Sequence, residues 1–187
     1  MDRAGYVLVG GRSSRMGRDK ARLPFRGASL GEFVARTVLE AAGSVVLVGD
    51  PAEYSEFAFP VIADLHPGAG PLGGILTVLH HTSADWNLVV ACDMPGLSGH
   101  GLRRILAAAE QSGADALVPT GPSGVPEPLC AVYHRRSLGG LEAAFAAGER
   151  KVTVALAGVR TTMLPFEELS LFQNVNTPED WAAYGAE

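Results

Sequence analysis

The chain has little cysteine, two residues in 187, and few aromatic residues, 7%. Cys92 and Cys130 are far apart and show no Cys-x-x-Cys spacing, which argues against a disulfide scaffold and a zinc ribbon. Both lie in apolar, strand-like runs and are expected to be buried free thiols of a reducing cytoplasm. No apolar run approaches the ~18 residues that a membrane-spanning helix needs. The first residues do not read as a signal peptide, because charges sit inside and after the first short apolar stretch. Charged residues make up 19% and hydrophobic residues 47%, a globular rather than a disordered composition. The 23 glycines and 12 prolines are spread between apolar segments, so they mark tight turns and not a low-complexity tract. The length suits one domain spanning residues 1–187, with no internal repeat or dividing linker.

Net charge is −5, but it is unevenly placed. Residues 1–26 carry seven basic groups and two acids, a local +5, while the remaining residues sum to −10. A basic segment on an acidic protein suits a small polyanion such as a nucleotide. Nucleic acid is not expected, since no second basic patch follows a phosphate backbone. Arg3, Arg22 and Arg26 are expected as ordinary solvated surface.

Apolar runs alternate with helical periodicities along the chain. Strands are expected at Tyr6–Val9, Val45–Val48, Val61–Ile62, Trp86–Cys92, Ala116–Val118, Leu129–Tyr133 and near Val159. Helices are expected from Leu30 to Ala42, with Ser29 as N-cap and Gly43 as stop, and from Gly73 to His81. Leu102, Ile105, Leu106 and Ala109 give another helical face, and Ser137–Ala147 and Val152–Leu156 also read as helical. A last helix begins at Thr177-Pro178. Strands apolar throughout, alternating with amphipathic helices, predict an α/β fold: a doubly wound, mainly parallel sheet in three layers, α/β/α. Its ligand is expected beyond the carboxyl ends of the strands, at a switch in strand order. The Gly121–Pro128 stretch is expected as a loop over the sheet edge.

Four loops after strands carry the chemistry. Leu8-Val-Gly-Gly-Arg-Ser-Ser-Arg-Met-Gly-Arg-Asp-Lys20 packs glycines and cations behind the first strand. Its backbone can form an anion nest to which Arg15 and Lys20 add positive charge. It matches neither Gly-x-Gly-x-x-Gly nor the P-loop pattern, which disfavours a dinucleotide Rossmann protein and a P-loop kinase. Ala91-Cys-Asp-Met-Pro95 places Asp93 just past a buried strand. There it would either hold Mg²⁺, which takes one or two carboxylates and completes its shell with phosphates and water, or cap the following helix. Asp64 precedes the glycine-rich turn to Gly74 and is suited to a ribose or base edge, while Pro71, Gly73 and Gly74 also fit a purely structural turn. Asn174 and Asn176 can share one side of an extended segment and offer amides to a heteroaromatic edge; turn and cap chemistry before the last helix explains the same residues. His66 reads as a surface loop residue, and His80 and His81 have no metal-spaced partner.

Taken together, the Leu8–Lys20 segment, Gly70-Pro-Leu-Gly-Gly74, Cys92-Asp-Met-Pro95, Pro128-Leu-Cys-Ala-Val-Tyr133 and Asn174-Val-Asn-Thr-Pro178 resemble the motifs of the molybdenum cofactor guanylyltransferases, in order and over nearly the whole chain. The resemblance implies a nucleotide-diphospho-sugar-transferase-like (Rossmann-like) fold. It implies a cytoplasmic enzyme that transfers GMP from Mg·GTP to molybdopterin or its molybdenum-loaded form, with release of pyrophosphate. It places Leu8, Val9, Gly10 and Gly11 on the guanosine, the first three through backbone groups. Lys20 would lie on the triphosphate with Arg15 as a further phosphate contact, Asp64 on the nucleoside, Asp93 on Mg²⁺, and Asn174 and Asn176 on the pterin. It also implies docking onto a molybdenum-insertion protein or apo-molybdoenzymes. Two positions depart from the pattern. Val9 stands where alanine is usual, and Glu127 stands where relatives often carry a neutral polar residue, so that a carboxylate there would repel a pterin phosphate. A molybdopterin cytidylyltransferase, another small-molecule nucleotidyltransferase and a non-catalytic nucleotide-binding partner in cofactor delivery are the alternatives.

Overall fold

A computed structural model of the protein describes residues 2–10, 19–167 and 169–184. In chain order, β1 (Arg3–Leu8) is followed by a small antiparallel ribbon, β2 (Pro24–Phe25) with β3 (Ala28–Ser29), and by helix α1 (Leu30–Ala42). β4 (Val46–Val48) and β5 (Val61–Ile62) precede α2 (Pro71–His81). Then come β6 (Trp86–Ala91), α3 (Gly99–Ser112), β7 (Ala116–Thr120), β8 (Cys130–His134), α4 (Leu138–Ala146) and the short α5 (Val152–Ala155). β9 (Thr161–Pro165) and α6 (Pro178–Tyr184) follow.

The main sheet has seven strands in the order β5-β4-β1-β6-β8-β7-β9. Side chains alternate along each strand and sort into two cores. Val7, Leu88, Val90, Cys130 and Val132 face α1 and α3, while Tyr6, Val89, Ala131 and Tyr133 face α2 and α4. This is the expected three-layer arrangement. Local chemistry places α1 where periodicity does: Ser29 Oγ accepts from the Glu32 amide, the Glu32 carboxylate accepts from the Ser29 amide, and Gly43 ends the helix at φ 82°. Gly5 lets α1 lie close on β1, because a Cβ there would fall 2.6 Å from the Ser44 carbonyl oxygen and against Val38.

The sheet is mainly parallel, as expected, with one antiparallel strand, and two local expectations are corrected. β8 runs antiparallel to both β6 and β7, since the connection from Thr120 is too short for the crossover that a parallel return requires. The Gly121–Pro128 loop therefore joins the carboxyl end of β7 to the amino end of β8, both interior strands, and does not lie over a sheet edge. The strand expected near Val159 begins at Thr161, because Val159 packs against Gly140. The surface arginines are also engaged. Arg3 forms a two-pronged pair with Glu110 at 2.5 and 2.6 Å, Arg22 pairs with Glu56 at 2.9 Å, and the Arg26 guanidinium lies 5.1 Å from the Phe25 ring centre.

Candidate functional site

Strand order reverses at β1. The chain steps outward from β1 to β4 and β5, then returns to place β6 on the other side of β1. In such sheets the crevice opens beyond the carboxyl ends of the two strands that flank the reversal. Here those ends are Leu8-Val9-Gly10 and Ala91-Cys92-Asp93, held in register by the Leu8–Ala91 pairing and by a 3.2 Å bond from the Cys92 amide to the Leu8 carbonyl. They border a cavity of about 410 Å³ that Asp19, Lys20, Asp64, Gly70 and Leu129 also line.

Lys20 and Asp93, 73 positions apart, meet at its wall. Asp19 caps a single 3₁₀ turn, Lys20–Arg22, by accepting from the Ala21 amide at 3.0 Å, and this turn directs the lysine inward. Lys20 Nζ donates to Asp93 Oδ2 at 2.9 Å and to Asn176 Oδ1 at 2.7 Å. The Asp93 backbone carbonyl accepts from the Val175 amide at 2.9 Å, so the segment carrying Asn174 and Asn176 is laid against the end of β6. Asp93 does not cap the next helix. Ser98 does so, its Oγ accepting from the Gly101 amide at 3.1 Å.

The two asparagines serve differently. Val175 is fully buried between them. Asn176 faces Lys20, whereas the Asn174 Oδ1 is buried with no hydrogen-bond partner among the described residues. Cap chemistry is present as well: the Asp180 carboxylate accepts from the Asn176 and Thr177 amides, and Thr177 Oγ1 accepts from the Asp180 amide.

Asp64 reaches the cavity in a fixed orientation. Its Oδ1 accepts from the Thr77 hydroxyl at 2.8 Å and from the His66 amide at 2.9 Å. Gly68 and Gly70 supply the positive φ of the turn, whereas Gly73 and Gly74 are packing positions inside α2, against His66 and the Leu8 side chain. His66 is not free at the surface; its ring packs on Phe145 with centres 4.7 Å apart.

The backbone groups of Leu8 and Val9, implied for guanosine, already have partners within the chain. The Val9 amide donates to the Val48 carbonyl at 3.0 Å, and the Val9 carbonyl accepts from the Tyr54 hydroxyl at 2.6 Å. The Leu8 carbonyl is taken by Cys92. Each of these carbonyls keeps a second lone pair, and Leu8 and Val9 line the cavity wall. Gly10, with only a long 3.4 Å bond from its amide, has the backbone most open to a ligand. Gly11 and Arg15 lie outside the described residues.

Charge around the cavity is mixed. Burial first, and then the Asp93 charge, push the Glu127 carboxyl above its ordinary range, so the loop after β7 brings a second acid toward Asp93. The Cys92 and Cys130 thiols are free, buried and driven upward by desolvation, which leaves them inert as nucleophiles. Among the described residues no cluster of three His, Cys, Asp or Glu could cage a metal. A single hard carboxylate beside a lysine suits a divalent cation that completes its shell with phosphate oxygens. Sequence reasoning missed Asp19, Thr77 and Tyr54. Asp19 sits inside the quoted glycine-rich segment and could have been weighed there; Thr77 and Tyr54 carry no local signal.

The chain matches the MobA-like NTP transferase domain over residues 5–161. It is 32% identical over 176 residues to a probable molybdenum cofactor guanylyltransferase of Deinococcus radiodurans, covering 94% of this chain and 90% of that one. It is 33% identical over 184 residues to the molybdenum cofactor guanylyltransferase of Vibrio atlanticus, covering 96% and 93%. The crystal structure of molybdopterin-guanine dinucleotide biosynthesis protein A from Archaeoglobus fulgidus superposes with a TM-score of 0.82 at 32% identity, covering 97% of this chain and 96% of that one.

Proposed function

Because the chain belongs to the MobA-like NTP transferase domain family, we propose that it is a molybdenum cofactor guanylyltransferase, transferring GMP from Mg·GTP to molybdopterin with release of pyrophosphate. The observation that carries this reading is the convergence of Lys20, Asp93 and Asn176 at the carboxyl ends of β1 and β6, which sets a cation, a metal-type carboxylate and a hydrogen-bonding amide around one cavity.

The reaction needs no protein nucleophile. An acceptor phosphate oxygen bonds to the α-phosphorus, the bond from that phosphorus to the bridging oxygen of the β-phosphate breaks, and pyrophosphate leaves with the electron pair. The protein's part is to align the reactants and offset charge. Lys20 exchanges Asp93 and Asn176 for phosphate oxygens and neutralises part of the triphosphate. Asp93 would hold Mg²⁺, which when bound offsets charge on the phosphate oxygens. Asp64, oriented by Thr77, meets the nucleoside, and Gly10 presents its backbone to it. Arg15 adds a further phosphate contact. Once Lys20 has turned away, Asn176 joins Asn174 in offering amides to the pterin. Among the described residues no helix is long and apolar enough to cross a membrane.

The test is pyrophosphate release by the purified chain with Mg²⁺ and molybdopterin, given either GTP or CTP. Pterin-dependent release with GTP alone is expected. Release with CTP would show the base assignment to be wrong, and GTP binding without turnover would overturn the acceptor assignment.

A further inference from the structure

We infer that Tyr54 is a positioning residue of the nucleotide site, its buried hydroxyl holding the end of β1 and its ring the Lys20–Arg22 turn. The inference rests on the reading of Gly10 and Lys20 as nucleotide-site residues.

Tyr54 lies in the turn segment after β4, well away in sequence from both ends it joins. Its hydroxyl donates to the Val9 carbonyl at 2.6 Å, at the point where β1 gives way to the loop. Burial first, and then the Asp19 charge, push the Tyr54 hydroxyl above its ordinary range. Tyr54 thus joins the end of β1 to the Lys20–Arg22 turn: its hydroxyl holds the Val9 carbonyl and its ring meets the Arg22 guanidinium. The outer side of the ring is clamped to that turn. The Arg22 guanidinium lies 5.7 Å from the ring centre, its Nη2 is 2.9 Å from Glu56 Oε1, it donates to the Glu53 carbonyl, and its Nε is 3.7 Å from Asp19 Oδ2. Three residues of the 53–56 segment therefore grip residues 19–22, while Tyr54 alone reaches through to Val9.

The surroundings leave the ring one place to be. Tyr54 is 3% exposed. Phe57 meets it edge-on at 5.4 Å. At Gly49, the end of β4, an added Cβ would fall 2.8 Å from a Val9 methyl and 3.0 Å from the tyrosine ring. The absent side chain at Gly49 is what permits the hydroxyl to reach the Val9 carbonyl. That bond turns the peptide following Val9 and so sets where Gly10 points. The Arg22 contacts with the ring, Glu53 and Glu56 set where the 3₁₀ turn lies, and with it the root of Lys20. Losing the hydroxyl releases the Val9 carbonyl without opening a cavity.

The experiment is a calorimetric titration with Mg·GTP of the whole chain and of Tyr54→Phe, with KM measured for GTP and for molybdopterin. Tyr54→Phe keeps the ring. It is expected to weaken Mg·GTP binding by about 3–10-fold, the fold-change of one lost hydrogen bond, and to raise KM for GTP while KM for the pterin stays unchanged. A merely structural role would lower the active fraction and move neither KM. Gly49→Ala keeps the hydroxyl but pushes the ring and Val9 apart, so it should give the same selective rise; it decides the matter if the phenylalanine variant does not fold. Wild-type affinity in folded Tyr54→Phe, or an equal rise in both KM values, would overturn the inference. Failure of guanylyl transfer looks different: Mg·GTP binds to the unaltered chain but no pyrophosphate appears, and the ratio of affinities still decides on Tyr54. If the unaltered chain binds no Mg·GTP, both readings fall.

Discussion

Replacing Lys20 with methionine removes one positive charge and keeps most of the side chain's length. The structure sets the two quantities that matter. The lysine and Asp93 side chains are 15% and 20% exposed, and the ammonium is shared between a carboxylate at 2.9 Å and an amide oxygen at 2.7 Å. A fully buried charged hydrogen bond contributes about 1.5–3 kcal/mol and an exposed ion pair about 0–1 kcal/mol. A pair at the wall of an open cavity lies near the lower range, and water reaches Asp93 when the lysine is gone. Folding should therefore lose about 1 kcal/mol, which lowers Tm by roughly 2–4 °C in a domain of this size. Turnover should suffer far more, because on the proposed reading the ammonium acts where charge gathers in the transition state. Loss of one such preorganised donor costs about 2.7–4 kcal/mol, or 10²–10³ in kcat. Differential scanning calorimetry and a coupled pyrophosphate assay on one preparation give both numbers. A folded Lys20→Met protein with turnover within tenfold of the unaltered chain would refute the assignment. A Tm loss well beyond the stated range would instead make Lys20 a structural strut.

Other residues give independent checks. Glu127→Gln removes a carboxyl whose ionised form is disfavoured by burial and by Asp93. A raised carboxyl pKa penalises the native state only once the group ionises, so the variant should raise Tm at pH 8 and leave it unchanged near pH 4; thermal melts at both values decide this. The variant should also lower KM for the pterin if the carboxylate faces its phosphate. The Asp115 carboxyl is held far below its usual range by hydrogen bonds from Arg160 and Arg136, so its stabilisation is present above the unfolded-state pKa and fades as acid protonates the native group. Asp115→Asn should lower Tm at pH 7 by a few degrees and flatten the acid side of the stability profile. Gly5→Ala drives a methyl against Val38 and the Ser44 carbonyl, and should cost about 1–3 kcal/mol, read from the urea midpoint.

Much of the fold was legible because its signals are local. Ser29, Glu32 and Gly43 mark the limits of α1 within a few residues, and apolar runs such as Trp86–Ala91 announce strands buried on both faces. The direction of β8 was not legible, since an apolar run reads alike in either sense and only the length of the connection from Thr120 decides. Of the candidate site residues, Lys20, Asp64 and Asp93, which line the cavity, and Asn176, which meets Lys20, were legible as a group because each sits in a composed loop after a strand. Tyr54 was invisible: its partner is a main-chain carbonyl, which leaves no mark in side-chain patterning. The same limit applies at Leu8 and Val9. Their residue types say nothing about whether their backbone groups already have partners within the chain.

The contact between Lys20 and Asn176 joins positions 156 apart, and Asp93 lies between them in sequence. A ribosome delivers the lysine early and the asparagine that completes the site much later. At about 5–20 residues per second the interval is roughly 8–30 s. Through that time the nascent chain holds its cationic loop and, later, Asp93, but lacks the segment that meets both. On the proposed reading, a growing polypeptide of this design is mute toward its acceptor until that segment has emerged. A circular permutant that moves residues 173–184 ahead of β1 would separate chain order from site assembly.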